Sequence, residues 1–132
     1  RRQHSPNISK NGMLLIFDNE GSDEKFGESR IVQFDLKKNK FNSDFDGNEN
    51  FFFESDIRGR VQIFNDQIYV TSSQQGEVFK LNCSDENLKK CKPQILFSSN
   101  TKGKSNSIFV ADFYSREFFT KEFLTKINNE KF

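Results

Sequence analysis

The sequence predicts a mainly β chain, built of short antiparallel meanders and closed by one helix. Three observations carry this: a Phe-dominated stock of core residues, eight short apolar runs separated by turn formers, and a switch to four-residue periodicity near the C-terminus. Of the 132 residues, 17 are Phe and none is Trp, within a hydrophobic share of 33%. Aromatic and β-branched side chains pack on pleated surfaces better than along helix seams, so a core of this composition favours strands. The length suits a single folded domain, and two are not expected.

The strands are expected at 13–18, 30–37, 50–54, 61–64, 67–72, 77–81, 94–98 and 107–113. In the second, Val32, Phe34 and Leu36 alternate with Ile31, Gln33 and Asp35, and in the sixth Phe79 and Leu81 alternate with Val78 and Lys80, the period of a strand buried on one face. Turn formers lie between the runs, among them Asn11 with Gly12, Asn19 with Glu20 and Gly21, Lys38 to Lys40, Asp46 to Asn48, Asn65 with Asp66, and Gln75 with Gly76. The chain also repeats weakly. The stretch 11–16 has a counterpart at 65–70, and 34–36 has one at 79–81. A period of about 50 residues with about four strands in each copy is the pattern of a β-propeller blade. The expected architecture is therefore about two antiparallel blades of a β-propeller over residues 1–115, a portion that needs neighbouring blades or leaves its edges open. From Arg116 onward, Phe119, Phe123, Leu124 and Ile127 form one apolar stripe beside Lys121, Glu122 and Lys126, which predicts a C-terminal amphipathic helix over 116–127 within the tail 116–132, its stripe docked on the protein.

Charge excludes several function classes. Twenty basic residues balance nineteen acidic ones for a net charge of +1, and they are spread without blocks, so no footprint for nucleic acid or an anionic membrane is present. No apolar run approaches the ~20 residues of a membrane-spanning helix, and Arg1 and Arg2 are not followed by a signal-like apolar segment. The first residue is Arg, so a signal or anchor upstream fits the sequence as well as its absence.

Cys83 and Cys91 bracket a polar loop between two apolar runs. A disulfide closing that loop would point to an oxidising compartment, periplasmic or secreted; two free thiols are the alternative. Zinc is disfavoured because neither Cys has a CxxC partner and the only His, His4, is far upstream. The DFDGN stretch at 44–48 fails as an EF-hand loop, since Glu49 and Ser55 occupy the sixth and twelfth positions, where Gly and a bidentate Glu belong. Asn7 and Asn82 head sequences matching the N-glycosylation pattern, which an Asn-rich chain produces by chance. No cofactor is expected. His4 is the only imidazole, so any acid/base or nucleophilic work by His must pass through it.

Gln3 and His4, the run NGMLLIFDN at 11–19, ESRIVQFDL at 28–36, the spaced Ser55, Gly59 and Gln62, and IFVADFYS at 108–115 together resemble the arylsulfotransferase (aryl-sulfate sulfotransferase) family over about residues 3–116. The resemblance implies the C-terminal portion of a six-bladed propeller. It also implies transfer of sulfate between phenolic esters without a nucleotide donor, through a sulfated histidine in a central funnel. Its catalytic residues would be His4 as nucleophile and Arg30 as the donor stabilising the transferred group, with a small aryl sulfate or phenol as partner and further blades upstream. The sequence departs from the family where Arg58, Gly59 and Arg60 stand in place of a further funnel histidine. A binding or scaffolding propeller module without chemistry is the second reading, and the presence or absence of more histidines upstream separates the two.

Overall fold

The computed structural model describes residues 3–19, 29–56, 58–99 and 106–129. Two antiparallel meanders follow one another. The first consists of β1 (Gln3–Ile8), β2 (Met13–Asp18), β3 (Arg30–Asp35) and β4 (Lys40–Phe45), and the second of β5 (Arg60–Phe64), β6 (Gln67–Ser72), β7 (Glu77–Asn82) and β8 (Lys92–Ser98). Each sheet keeps sequential strand order, as expected where connections are short. The β5–β6 hairpin turns on Asn65 and Asp66, both with positive φ, which matches the twist of the flanking strands. At the β3–β4 turn, Asp35 Oδ1 accepts from the backbone N–H groups of Lys37 and Lys38, both at 2.9 Å, and its other oxygen is 3.2 Å from Lys38 Nζ. The Lys38 N–H is the largest cause holding the Asp35 carboxyl below the usual carboxylate range; burial pushes the other way by less, and the Lys38 ammonium and the Lys37 N–H add to the lowering.

The propeller expectation is corrected here. Both sheets are open meanders, neither closed nor curled into a ring, and they pack on each other through one shared core. A repeat of four strands and fifty-odd residues describes any tandem of meanders; ring closure depends on the number of sheets and the rotation between them, which periodicity does not encode. The strand assignments need correction too. Residues 50–54 are not a strand, and 51 makes only an isolated bridge to 48. Residues 107–113 are extended without joining a ladder. β1 and β4 were not expected, because both are polar edge strands without two-residue alternation. The C-terminal helix splits into a 3-10 turn, Arg116–Phe118, and α1 (Lys121–Asn129). Glu20, Gly21 and Glu28 lie outside the described residues.

Part of the Phe stock forms the core: Phe17, Phe45, Phe53 and Phe79 are fully buried. Leu15, Phe17, Ile31 and Phe45 of the first sheet face Val61, Val70, Phe79 and Leu81 of the second. Phe53, from the crossover between the sheets, fills the space among them, its ring 5.8 Å from Phe17, 6.0 Å from Phe45 and 5.2 Å from Phe79. Burying one such ring contributes about 2–3 kcal/mol before packing geometry is counted. Polar side chains then fasten the crossover. Asn19 Nδ2 donates to the carbonyls of Ser55 and Arg58, Ser55 N donates to Ser29 Oγ at 2.9 Å, and Gly59 N donates to Ser73 Oγ at 3.1 Å. Gly59 has a φ of +100°, and a Cβ there would stand 2.5 Å from the Phe17 ring, so no other residue fits.

Beyond the sheets, Cys83 and Cys91 form a disulfide with Cα atoms 4.2 Å apart. It closes the β7–β8 loop, inside which Asn87 caps the 3-10 turn Leu88–Lys90 by accepting from Lys89 N. Lys90, with the Asn87 N–H, holds the exposed Asp85 carboxyl below its ordinary range. The loop delivers Leu88 into the core, and Leu88 N donates to Ser43 Oγ of β4 at 3.0 Å.

Candidate functional site

Arg30 and His4 are the residues from which an anion site would be built, so their placement comes first. Arg30 opposes Asp18 on β2, and its Nε lies 3.1 Å from Asp18 Oδ2 while a terminal nitrogen lies 3.2 Å from Asp44 Oδ2. Lys89 approaches the other oxygen of Asp44 at 3.6 Å. The guanidinium is thus spent between two buried carboxylates. The buried polar atoms left without partners nearby, Asp18 Oδ1 and Asn19 Oδ1, are acceptors, the wrong sign for a sulfate. His4 is half-buried on β1 opposite Phe17, in the register row next to that of Arg30. Successive rows point to opposite faces of a sheet, so the two residues are neighbours by backbone and are not brought together at one cleft. Among the described residues no group of three or more His, Cys, Asp or Glu could hold a metal ion.

Ser55, Gly59 and Gln62, which helped carry the resemblance, have structural roles instead. The first two hold the crossover as described above, and Gln62 clamps the chain that follows β8. Comparison with protein-family models, with curated proteins and with solved structures finds no match to the chain. Together with the open sheets and the spent Arg30, this overturns the sulfotransferase assignment. The matched letters fall on strand, turn and crossover residues and on the extended segment 108–115, where they have structural roles.

The remaining candidate is a surface. On the first sheet, Leu14 and Ile16 of β2 and Val32 and Phe34 of β3 lie half-buried on the side away from the core, with Leu36 and Phe41 exposed at its margin. No described element packs on these apolar residues, while at the far end of the same face Asp18, Arg30 and Asp44 pair and Lys89 of the disulfide loop reaches Asp44. Alternation on β3 was visible in the sequence, but the side with the larger apolar residues is the open one, whereas the core side carries Ile31, Gln33 and Asp35. Gln33 is tolerated inside because Asn42 Nδ2 and Ser43 Oγ donate to its Oε1 at 2.7 and 3.0 Å.

Register shows what this open face resembles. β2 and β6 occupy the second place in their sheets, and β3 and β7 the third, so Leu14 corresponds to Ile68, Ile16 to Val70, Val32 to Phe79 and Phe34 to Leu81. The cross-strand pairs agree: Leu14 with Phe34 as Ile68 with Leu81, and Ile16 with Val32 as Val70 with Phe79. Ile68, Val70, Phe79 and Leu81 are the residues with which the second sheet packs on the first. The sequence pairing of 34–36 with 79–81 was out by two residues, a slip that preserves the face.

A second concavity lies where the hairpin tips meet the disulfide loop. It encloses about 430 Å³ over an apolar floor of Met13, Leu15, Ile63 and Leu88, with Lys10 and Asp66 paired at its rim at 3.0 Å. It holds no nucleophile paired with a base.

Proposed function

We propose that this protein is a protein-interaction module whose first sheet docks a further antiparallel β-sheet on its open apolar face. The carrying observation is the repeat of the packing surface: the residues of the open face occupy the positions by which the second sheet already packs on the first. The complementary occupant presents what the first sheet offers on its core side, an apolar and aromatic sheet face such as that of Leu15, Phe17, Ile31 and Phe45. Polarity supports a sheet rather than an irregular segment. A buried irregular backbone needs hydrogen-bond partners, and Leu14, Ile16, Val32 and Phe34 supply none, whereas a sheet brings its backbone groups already paired. Upstream sheets of the same polypeptide are the natural source. The closed Cys83–Cys91 bridge supports a periplasmic or secreted setting, and among the described residues no helix is long and apolar enough to cross a membrane. The tail is taken to begin at 116, just beyond Phe113, the last residue of the C-terminal segment bonded to the second sheet.

The test is site-specific photo-crosslinking from position 16 in the protein expressed in its native setting. Crosslinks to an alternating apolar segment, in the same polypeptide or another, are expected, and position 125 on α1 serves as the control. Crosslinks at position 16 no more frequent than at 125 overturn the reading.

A further inference from the structure

The concavity between the hairpin tips and the disulfide loop carries chemistry that the docking role does not use. Among its apolar lining residues Met13, Leu15 and Leu88 sits Gln33, only 5% exposed. The amide of Gln33 is held in one orientation. Leu88 N donates to Ser43 Oγ at 3.0 Å, Ser43 Oγ donates in turn to Gln33 Oε1 at 3.0 Å, and Asn42 Nδ2 donates to the same oxygen at 2.7 Å. With two donors on Oε1, Nε2 is left over, and among the described residues nothing accepts from it. Nor is this nitrogen sealed inside protein, since the described buried side-chain atoms left without a partner are Asp18 Oδ1, Asn19 Oδ1 and Arg60 Nε. An oriented, unspent donor therefore opens onto an apolar floor, where it gains most from an acceptor that arrives with its own apolar body. The mouth has a different need. Of the carboxylates that line it, Asp66 is paired with Lys10 at 3.0 Å and Asp85 with Lys90 at 2.9 Å, whereas Glu86 has the Asn11 amide at 3.3 Å and no described cation. Asn42 Nδ2 also donates to Glu86 O at 3.3 Å, so Gln33 and Glu86 stand one amide apart.

We propose that this cavity binds a small amphipathic amine: a carbonyl accepts from Gln33 Nε2, an aromatic or aliphatic body lies on Met13, Leu15 and Leu88, and an ammonium meets Glu86 at the mouth. The volume of about 430 Å³ is that of a small-molecule site. The sign of the ligand follows from the rim. Lys10 is already engaged by Asp66, so an anion would find no free cation there and would face the Glu86 carboxylate. Leu15 and Gln33 lie on the core side of the first sheet, opposite Leu14 and Val32, so the site stands independently of the docking role proposed above.

The probe is para-(aminomethyl)acetophenone, which carries a carbonyl, one ring and an ammonium, titrated into the full chain and followed by NMR. Saturable binding in the millimolar range or tighter is expected, with shifts at the Gln33 side-chain amide and at Leu88. Two relatives dissect it: para-ethylbenzylamine lacks the carbonyl and para-methylacetophenone lacks the ammonium, and each should bind about three- to tenfold more weakly. Gln33→Met should abolish the preference for the carbonyl, and Glu86→Gln, at an exposed position, the preference for the ammonium. The compound series on the wild-type chain and on Glu86→Gln decides the matter even if Gln33→Met fails to fold. No saturation up to about 10 mM, shifts confined to other parts of the chain, equal binding of the three compounds, or preferences that persist in the matching variants overturn the proposal.

Discussion

The outward faces of the two sheets are opposite solutions to the same problem. The second sheet offers Gln62, Tyr69, Thr71 and Ser73, and an extended strap from the C-terminal segment lies across them. Gln62 clamps Phe113 in both directions, accepting from its N–H at 2.9 Å and donating to its carbonyl at 2.8 Å. Thr71 Oγ1 accepts from Ala111 N, Ser73 Oγ donates to Phe109 O, Arg60 pairs with Asp112 at 2.7 Å, and the Phe113 ring stacks on Tyr69 at 4.0 Å. The first sheet offers Leu14, Ile16, Val32 and Phe34 at the middle of its outer face, and the charged groups at the end of that face, Asp18, Arg30 and Asp44, are already paired with one another. A strap outside any ladder must have its backbone satisfied by side chains, and only the second sheet supplies them. The comparison teaches that polar side chains free to bond a covering backbone select an irregular cover, while a face whose polar groups are paired among themselves and whose remainder is apolar selects a cover whose backbone is already paired.

The largest test breaks what the two sheets share. Phe53→Ala empties the centre of the common core and should cost about 3–5 kcal/mol in chemical denaturation, with both sheets lost in one transition. Two separated transitions would show that the sheets are independent units. Next, Gly59→Ala forces a side chain into a left-handed backbone position against the Phe17 ring and should cost about 1–3 kcal/mol or more, read as a shifted denaturation midpoint at unchanged slope. A smaller pair of variants sharpens the contrast directly. Phe113→Ala removes the ring stacked on Tyr69 and should cost about 1–2 kcal/mol while speeding amide exchange in 108–113. Phe41→Ala, at the margin of the uncovered face, should change stability by less than about 0.5 kcal/mol. Equal costs would mean that both faces are covered in solution.

The smallest effect concerns the β3–β4 turn under the first sheet. The native Asp35 carboxyl titrates below its unfolded value, so its contribution is fully present above the unfolded carboxylate range and is lost as pH falls through the lowered native value. Asp35→Asn should therefore be less stable than wild type near neutral pH, and the difference in melting temperature should shrink as pH drops into the acid range. A difference independent of pH would assign the effect to geometry rather than charge.

The C-terminal stripe shows why helix periodicity alone misled. Phe119, Phe123 and Ile127 fall on one side of the chain as expected, but Phe123 and Ile127 are exposed and the aromatic rings of this segment pack on each other, Tyr114 on Phe118 at 4.5 Å and Phe119 on Phe123 at 5.3 Å. Periodicity reports that a face is apolar; it does not report what meets it. The same holds for β3, where Val32 and Phe34 gave the clearer alternation and yet lie on the open side.

By itself the sequence determined what depends on neighbours along the chain. The hairpin turns at Asn11 with Gly12 and at Asn65 with Asp66, six of the eight strands, the short C-terminal helix and the loop-closing bridge between Cys83 and Cys91 were legible because local backbone preference and short loop closure carry them. The tertiary structure decided everything that needed a partner from far away: that Arg30 is held by Asp18 and Asp44, that Phe53 leaves an apparent strand to fill the core, that Gln62 fastens a strap fifty-one residues on, and which side of the first sheet stays open. The physical reason is that a side chain's role is set by the groups that neutralise, cover or hydrogen-bond it. In a two-sheet protein those groups come from another strand or another sheet, at separations that no local pattern records.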